Sequence, residues 1–254
     1  MNIGLITDCG KVRRENQDRC LALERTFGSE SVVLCVVADG MGGTGDGGMA
    51  SDYVVRRLQG WWEQELPGLL ERQPMYAYLS QSLDELLDRC SREIFRHSRQ
   101  VRISTGTTCS LLFACRGQAL IKHVGDSRIY LKRDGEWLLL TRDHTWEQQE
   151  LSEGRDPRAD ADYARKKGAL VNAMGAVETC GIDTQMLQLA AGDCFLVCSD
   201  GFYRYLSLTE DMCQVGEEAQ QVLEGMAEAI RTTPAADNFT AVLAINGESE
   251  AGGA

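Results

Sequence analysis

Proline is scarce, with 4 in 254 residues, and the 26 glycines gather in turns rather than tracts, so no stretch reads as a linker between domains. Internal repeats and low-complexity tracts are also missing, apart from a polar tail over 247–254. No apolar stretch approaches the roughly 20 residues that a membrane-spanning helix needs. The opening Met1-Asn2-Ile3-Gly4 lacks the basic-then-apolar pattern of a secretion signal, so a cytoplasmic location is expected. Basic charge is in deficit: 26 Lys and Arg against 38 Asp and Glu leave a net charge of −12, which argues against nucleic acid or an anionic membrane surface as partner. None of the ten cysteines forms a Cys-x-x-Cys pair. Cys35, Cys109, Cys194 and Cys198 fall inside apolar runs, as reduced core thiols do. What remains is a chain 43% hydrophobic that can bury one large core, expected as a single domain over 1–246.

Periodicity orders the elements. Residues 31–38 form a β-branched apolar run, and 48–65 read as a helix stopped by Pro67-Gly68. A second long helix is expected over 75–100, with Leu79, Leu83, Leu86, Leu87, Ile94 and Phe95 on its apolar face. Strands follow at 107–114, 119–124, 128–132 and 137–140, separated by turns such as Arg133-Asp134-Gly135. The charged stretch 141–167 reads as a short helix plus a mobile loop. Strands resume at 184–189 and 194–198, and a helix over 217–231 precedes a last strand at 240–245. Two adjacent long helices within a meander of strands define an α+β fold with antiparallel sheets, not alternating βαβ units.

Five aspartates stand in short runs at the ends of these segments. Asp18 closes Arg13-Arg14-Glu15-Asn16-Gln17-Asp18, and Asp39 opens Asp39-Gly40-Met41-Gly42-Gly43. Asp126 lies in Gly125-Asp126-Ser127-Arg128, Asp200 in Ser199-Asp200-Gly201, and Asp237 in Asp237-Asn238-Phe239-Thr240. Strand ends can gather side chains from distant parts of a chain, and carboxylates gathered there repel unless cations hold them. An all-carboxylate set suits hard ions such as Mg²⁺ or Mn²⁺. Taken singly, an Asp-Gly is an ordinary turn, and His123 and His144 read as structural histidines.

These runs, together with Gly106-Thr107-Thr108, occur in one order over residues 4–242, and the chain thereby resembles the metal-dependent protein phosphatase family, type 2C. The resemblance implies a four-layer α-β-β-α sandwich of two antiparallel sheets flanked by helices. It implies hydrolysis of phosphoserine and phosphothreonine by a metal-bridging hydroxide, with two Mn²⁺ or Mg²⁺ ions and a third in bacterial members. On this reading Asp39 bridges two ions, the Gly40 carbonyl joins the second, and Asp18 stands beside it. Asp200 and Asp237 bind the first ion, Asp126 with Asp200 the third, and Arg13 grips the phosphate in preference to Arg14. Met41 and Gln17 depart from eukaryotic members and match bacterial ones; a thioether has no proton to donate to the leaving group. A flap over about 143–175 matches the family least. Phosphoproteins and a cognate bacterial Ser/Thr kinase are the implied partners, with a monomer favoured.

Three rival readings are weaker. Gly40-Met41-Gly42-Gly43-Thr44-Gly45 fits Gly-x-Gly-x-x-Gly, but no second parallel strand ending in an acid follows. Residues 198–204 fit the Cys-x5-Arg spacing of cysteine phosphatases, but Asp200 would repel the phosphate there. A phosphoprotein-binding pseudoenzyme has no use for an intact anionic cluster.

Overall fold

The computed structural model describes residues 1–28, 30–42, 47–214 and 216–247. Gly43 of the Asp39 run and the tail over 248–254 lie outside them. Twelve strands and seven helices follow in the order β1 (Asn2–Asp8), β2 (Arg19–Phe27), β3 (Glu30–Ala38), β4 (Gly40–Gly42), α1 (Gly47–Gln64), α2 (Leu66–Leu70), α3 (Met75–Val101), β5 (Thr105–Thr107), β6 (Cys109–Cys115), β7 (Gln118–Val124), β8 (Arg128–Arg133), β9 (Glu136–Leu139), α4 (Trp146–Ser152), α5 (Tyr163–Lys166), β10 (Asp183–Gln188), β11 (Cys194–Cys198), α6 (Asp200–Tyr203), α7 (Ala219–Thr232) and β12 (Phe239–Ile245). They form two five-stranded antiparallel sheets, β1-β12-β11-β8-β9 and β10-β7-β6-β3-β2, with a ribbon of β4 and β5 beside them.

Alternation along the strands builds the layers. Along β3, Val32, Leu34 and Val36 meet Leu58, Leu79, Leu83 and Leu87 of the α1 and α3 layer. Val33, Cys35 and Val37 point the other way, onto Ile129, Phe195, Val197 and Val242 of the facing sheet. Outside that second sheet, Leu196, Phe239 and Leu243 pack on Leu223, Met226 and Ile230 of α7. A strand buried on both faces is apolar without a break, which is why β3 reads as one run. Three apolar seams therefore separate four layers, and the expected sandwich holds.

Several local expectations change. The run 107–114 breaks at Thr108 into β5 and β6. The helix α1 ends at Gln64, as expected, but Pro67 then sits in the first turn of a further short helix, α2, where its missing N–H costs nothing. Strands β1, β2 and β4 were not legible. The stretch 141–167 carries α4, a 3₁₀ turn at Pro157–Ala159 and α5. These pieces are tied together by the Tyr163–Glu147 hydrogen bond, the Lys166 ammonium over the Trp146 ring at 5.3 Å, and the Arg155–Glu150 ion pair, so the expected loose loop is an internally bonded flap. Cys194 and Cys213 form a disulfide, which corrects the expectation of reduced thiols at Cys194; the other eight cysteines are free. Among the described residues no helix is long and apolar enough to cross a membrane.

Candidate active site

The break at Thr108 shapes the site. Asp39 follows β3, its amide donates to Thr108 Oγ1 at 2.9 Å, and its carbonyl accepts from the Thr108 amide and Thr107 Oγ1. Thr107 and Thr108 thus clasp Asp39 at the head of the ribbon. Gly40 faces Thr107 across that ribbon, and a Cβ there would stand 2.5 Å from the Gln17 carbonyl oxygen and 2.3 Å from that of Gly47. Only glycine lets these three backbones meet. Gly125, at φ +107°, delivers Asp126 from the end of β7. Asp200 opens α6 directly after β11, and the Gly201 backbone lies so close to Asn238 that a Cβ would meet its carbonyl oxygen at 2.0 Å. Asp237 precedes β12, and Asn238 beside it pins the 9–17 loop: Oδ1 accepts from the Gln17 amide while Nδ2 donates to the Cys9 and Glu15 carbonyls.

These elements open on one cleft of about 800 Å³ whose walls include Arg13, Asp39, Gly40, Asp126, Asp200 and Asp237. Arg14, Met41, Leu170 and Arg204 share the walls. Asp18 does not line the cleft; it is buried behind it, accepting from Ser199 Oγ at 2.8 Å. Burial, reinforced by Asp18, Asp200, Asp126 and Asp237, pushes the Asp39 carboxyl well above the ordinary range. Burial likewise raises Asp126 to about 7 and Asp18 to about 6, with Asp200 adding repulsion in both. Arg13 sends Nε and Nη2 to the two oxygens of Asp237, each at 2.7 Å. Arg204 pairs with Asp200 at 2.8 Å. Among the described residues no group of three His, Cys, Asp or Glu stands placed to hold one ion. The donor set is nonetheless all oxygen and short of positive charge, which is the chemistry that hard divalent ions match.

The rival constellations fail on geometry. Burial drives the Cys198 thiol far above its usual range, so it is no thiolate nucleophile. Gly40–Gly42 is a strand of an antiparallel ribbon, and among the described residues it has no parallel partner to make a dinucleotide fold. His123 bonds Ser110 and the Arg142 carbonyl, whereas His144 takes the buried Gly125 amide on Nδ1 and faces Asp183 through Nε2. The Gly125 contact fixes the neutral tautomer of His144 with its proton on Nε2. Both histidines are structural. Missed were the Asn238 pin, the Ser199 hydroxyl on Asp18, and Arg204 as a partner of aspartates; its spacing four residues after Asp200 was the available signal.

A four-layer sandwich holding a cleft of hard oxygen donors and arginines defines a class: metal-dependent hydrolases of phosphate esters. A family model described as protein phosphatase 2C matches residues 9–243. The serine/threonine phosphatase stp of Listeria monocytogenes is 31% identical over 206 residues, covering 80% of this chain and 79% of that protein. Among solved structures, the serine/threonine phosphatase of S. agalactiae superposes with a TM-score of 0.82 at 26% identity, covering 97% of this chain and 99% of the other. The catalytic domain of PstP in complex with two manganese ions, a phosphatase also solved from Mycobacterium tuberculosis, gives 0.76 at 27% identity, covering 97% and 98%. The chain belongs to the protein phosphatase 2C family, and it is a phosphoprotein phosphatase of the metal-dependent bacterial serine/threonine type.

Proposed function

We propose that the cleft hydrolyses phosphoserine and phosphothreonine with two divalent ions, Mn²⁺ or Mg²⁺, held by Asp39, the Gly40 carbonyl, Asp200 and Asp237. The observation that carries this reading is the convergence of Asp39, Asp126, Asp200 and Asp237 on one cleft with Arg13, under a repulsion that favours taking up cations. Bound ions would activate water near neutral pH and neutralise the anionic ester. Asp39, clasped by Thr107 and Thr108, holds its carboxylate rigidly where β3 passes into β4. Asp18 supports the site from behind through Ser199 rather than from the wall. Arg13 grips the phosphate in a bidentate fork, exchanging Asp237 for two phosphate oxygens. Met41 supplies no proton, so the leaving seryl oxygen takes its proton from water. Phosphoproteins are the substrates, a cognate Ser/Thr kinase is the partner opposed, and the cytoplasm is the site of action.

Hydrolysis of p-nitrophenyl phosphate and of a phosphothreonine peptide, measured before and after EDTA, tests this. Activity should vanish on chelation and return with Mn²⁺. Undiminished turnover in excess EDTA would falsify the metal-dependent reading.

A further inference from the structure

We propose that Arg204 is a built-in counter-cation for Asp126 and Asp200, so that the cleft takes up two divalent ions and leaves no place for a third. This rests on the two-ion reading above. Arg204 Nη1 lies 2.8 Å from Asp200 Oδ2, and Nη2 lies 3.9 Å from Asp126 Oδ2. One guanidinium thereby spans the two carboxylates that a third ion would need. Backbone geometry holds it there. Arg204 follows Asp200 by four residues, and its amide donates to the Asp200 carbonyl at 3.0 Å, so the turn that presents the aspartate also presents the arginine. The neighbouring Tyr203 hydroxyl donates to the Asp126 backbone carbonyl at 3.0 Å, tying the same turn to the backbone of the second aspartate.

Arg13 differs in kind. The two side chains are similarly exposed, 57% for Arg13 and 49% for Arg204, but Arg13 reaches Asp237 from a loop 224 residues away, whereas Arg204 shares one helical turn with Asp200. Arg13 can leave its carboxylate when an ion or a phosphate arrives, whereas Arg204 stays beside Asp200. A divalent ion lodged between Asp126 and Asp200 would have to displace the guanidinium that spans these two Oδ2 atoms and face its charge, whereas the ion assigned above to Asp200 needs only the carboxylate oxygen that Arg204 does not pair with.

Titration of EDTA-stripped protein with Mn²⁺, counting free Mn²⁺ by its electron paramagnetic resonance signal, tests the assignment without relying on activity. Wild type should bind two ions per chain, and Arg204→Lys, which keeps the charge, should also bind two. Arg204→Ala should bind three, the third being lost when Asp126→Asn is added. Asp126→Asn alone should leave the count at two. A wild-type count of three that falls to two in Asp126→Asn overturns the proposal. An unchanged count of two in an Arg204→Ala protein with native circular dichroism overturns it as well. If Arg204→Ala does not fold, Asp126→Asn alone decides, because any loss of bound ion there makes Asp126 a ligand. A wild type that takes up no Mn²⁺ is a distinct result: it removes the two-ion reading and this proposal with it.

Discussion

Arg13 directs both arms of its fork at Asp237, and that pair is half open to solvent, with side-chain exposures of 57% and 31%. Exposed pairs of this kind contribute only about 0–1 kcal/mol, so the guanidinium exchanges partners at little cost. A phosphate contact present in both ground and transition states sets KM more than kcat. Arg13→Ala should therefore lower kcat/KM roughly 10- to 150-fold, from a charged bidentate contact of about 1.5–3 kcal/mol, mainly through KM. The same substitution frees Asp237, so Mn²⁺ affinity should hold or rise. Arg13→Lys should recover only part of the loss, since a point charge lacks the fork. Arg14 shares the cleft wall but not the Asp237 contact, which makes Arg14→Ala the control. Steady-state kinetics with a Mn²⁺ titration reads all four. If Arg14→Ala is the damaging change, the phosphate grip belongs to the neighbour.

At the scale of elements, the flap is anchored at its two ends and self-contained between them. His144 takes the Gly125 amide, so the first end bears on the loop that carries Asp126, and Leu170 bridges Thr145, so the second end closes on the first. Between them α4 and α5 bond chiefly to each other. Removing 148–166 while joining the two ends should thus leave p-nitrophenyl phosphate hydrolysis nearly intact and lower activity on phosphoproteins, which are large enough to touch the missing surface. Equal losses on both substrates would assign the flap to support of the site instead. The flap's inner bonding was not legible in the sequence, because it runs through Tyr163, Trp146 and charged pairs rather than through an apolar period. The long helix α3 was legible nearly to the residue, since Leu79, Leu83, Leu86 and Leu87 repeat at helical spacing onto a buried face. Strand β2 was not, because it is an edge strand with no fully buried side chain and its alternation is faint. The aspartates showed themselves because each sits at a strand end beside glycine or a polar turn. Arg204 did not, because its bond to Asp126 depends on how β7 and β11 come together.

For the molecule as a whole, the buried carboxylates couple folding to protons. Asp126 and Asp18 hold their protons to about pH 7 and 6, and burial raises Asp39 in the same direction, whereas in the unfolded chain all three titrate near the ordinary 3.8. Folded pKa values raised above unfolded ones stabilise at low pH, and that stability is lost as pH rises through the folded values. His123 acts in the opposite sense: burial lowers it to about 4 from 6.5, so its contribution grows with pH between those values. His123 opposes the carboxyls, and above about pH 6.5 it no longer acts. The melting temperature in EDTA should accordingly fall between about pH 6 and 8, and Asp126→Asn should flatten that slope. Mn²⁺ replaces the protons, so its affinity should climb over the same window. A melting temperature that rises with pH in EDTA contradicts this account.

Strand β1 pairs along its whole length with β12, from Asn2 opposite Ile245 to Asp8 opposite Phe239. The same closure sets Arg13 on Asp237 and lets Asn238 pin the 9–17 loop. During synthesis, then, β1 waits without its partner until β12 has left the ribosome. A nascent chain halted before Asp237 carries Asp39, Asp126 and Asp200 yet lacks the segment that completes the cleft. Such a chain should hydrolyse no p-nitrophenyl phosphate until β12 is made and pairs with β1, an outcome that stalled chains of graded length would read.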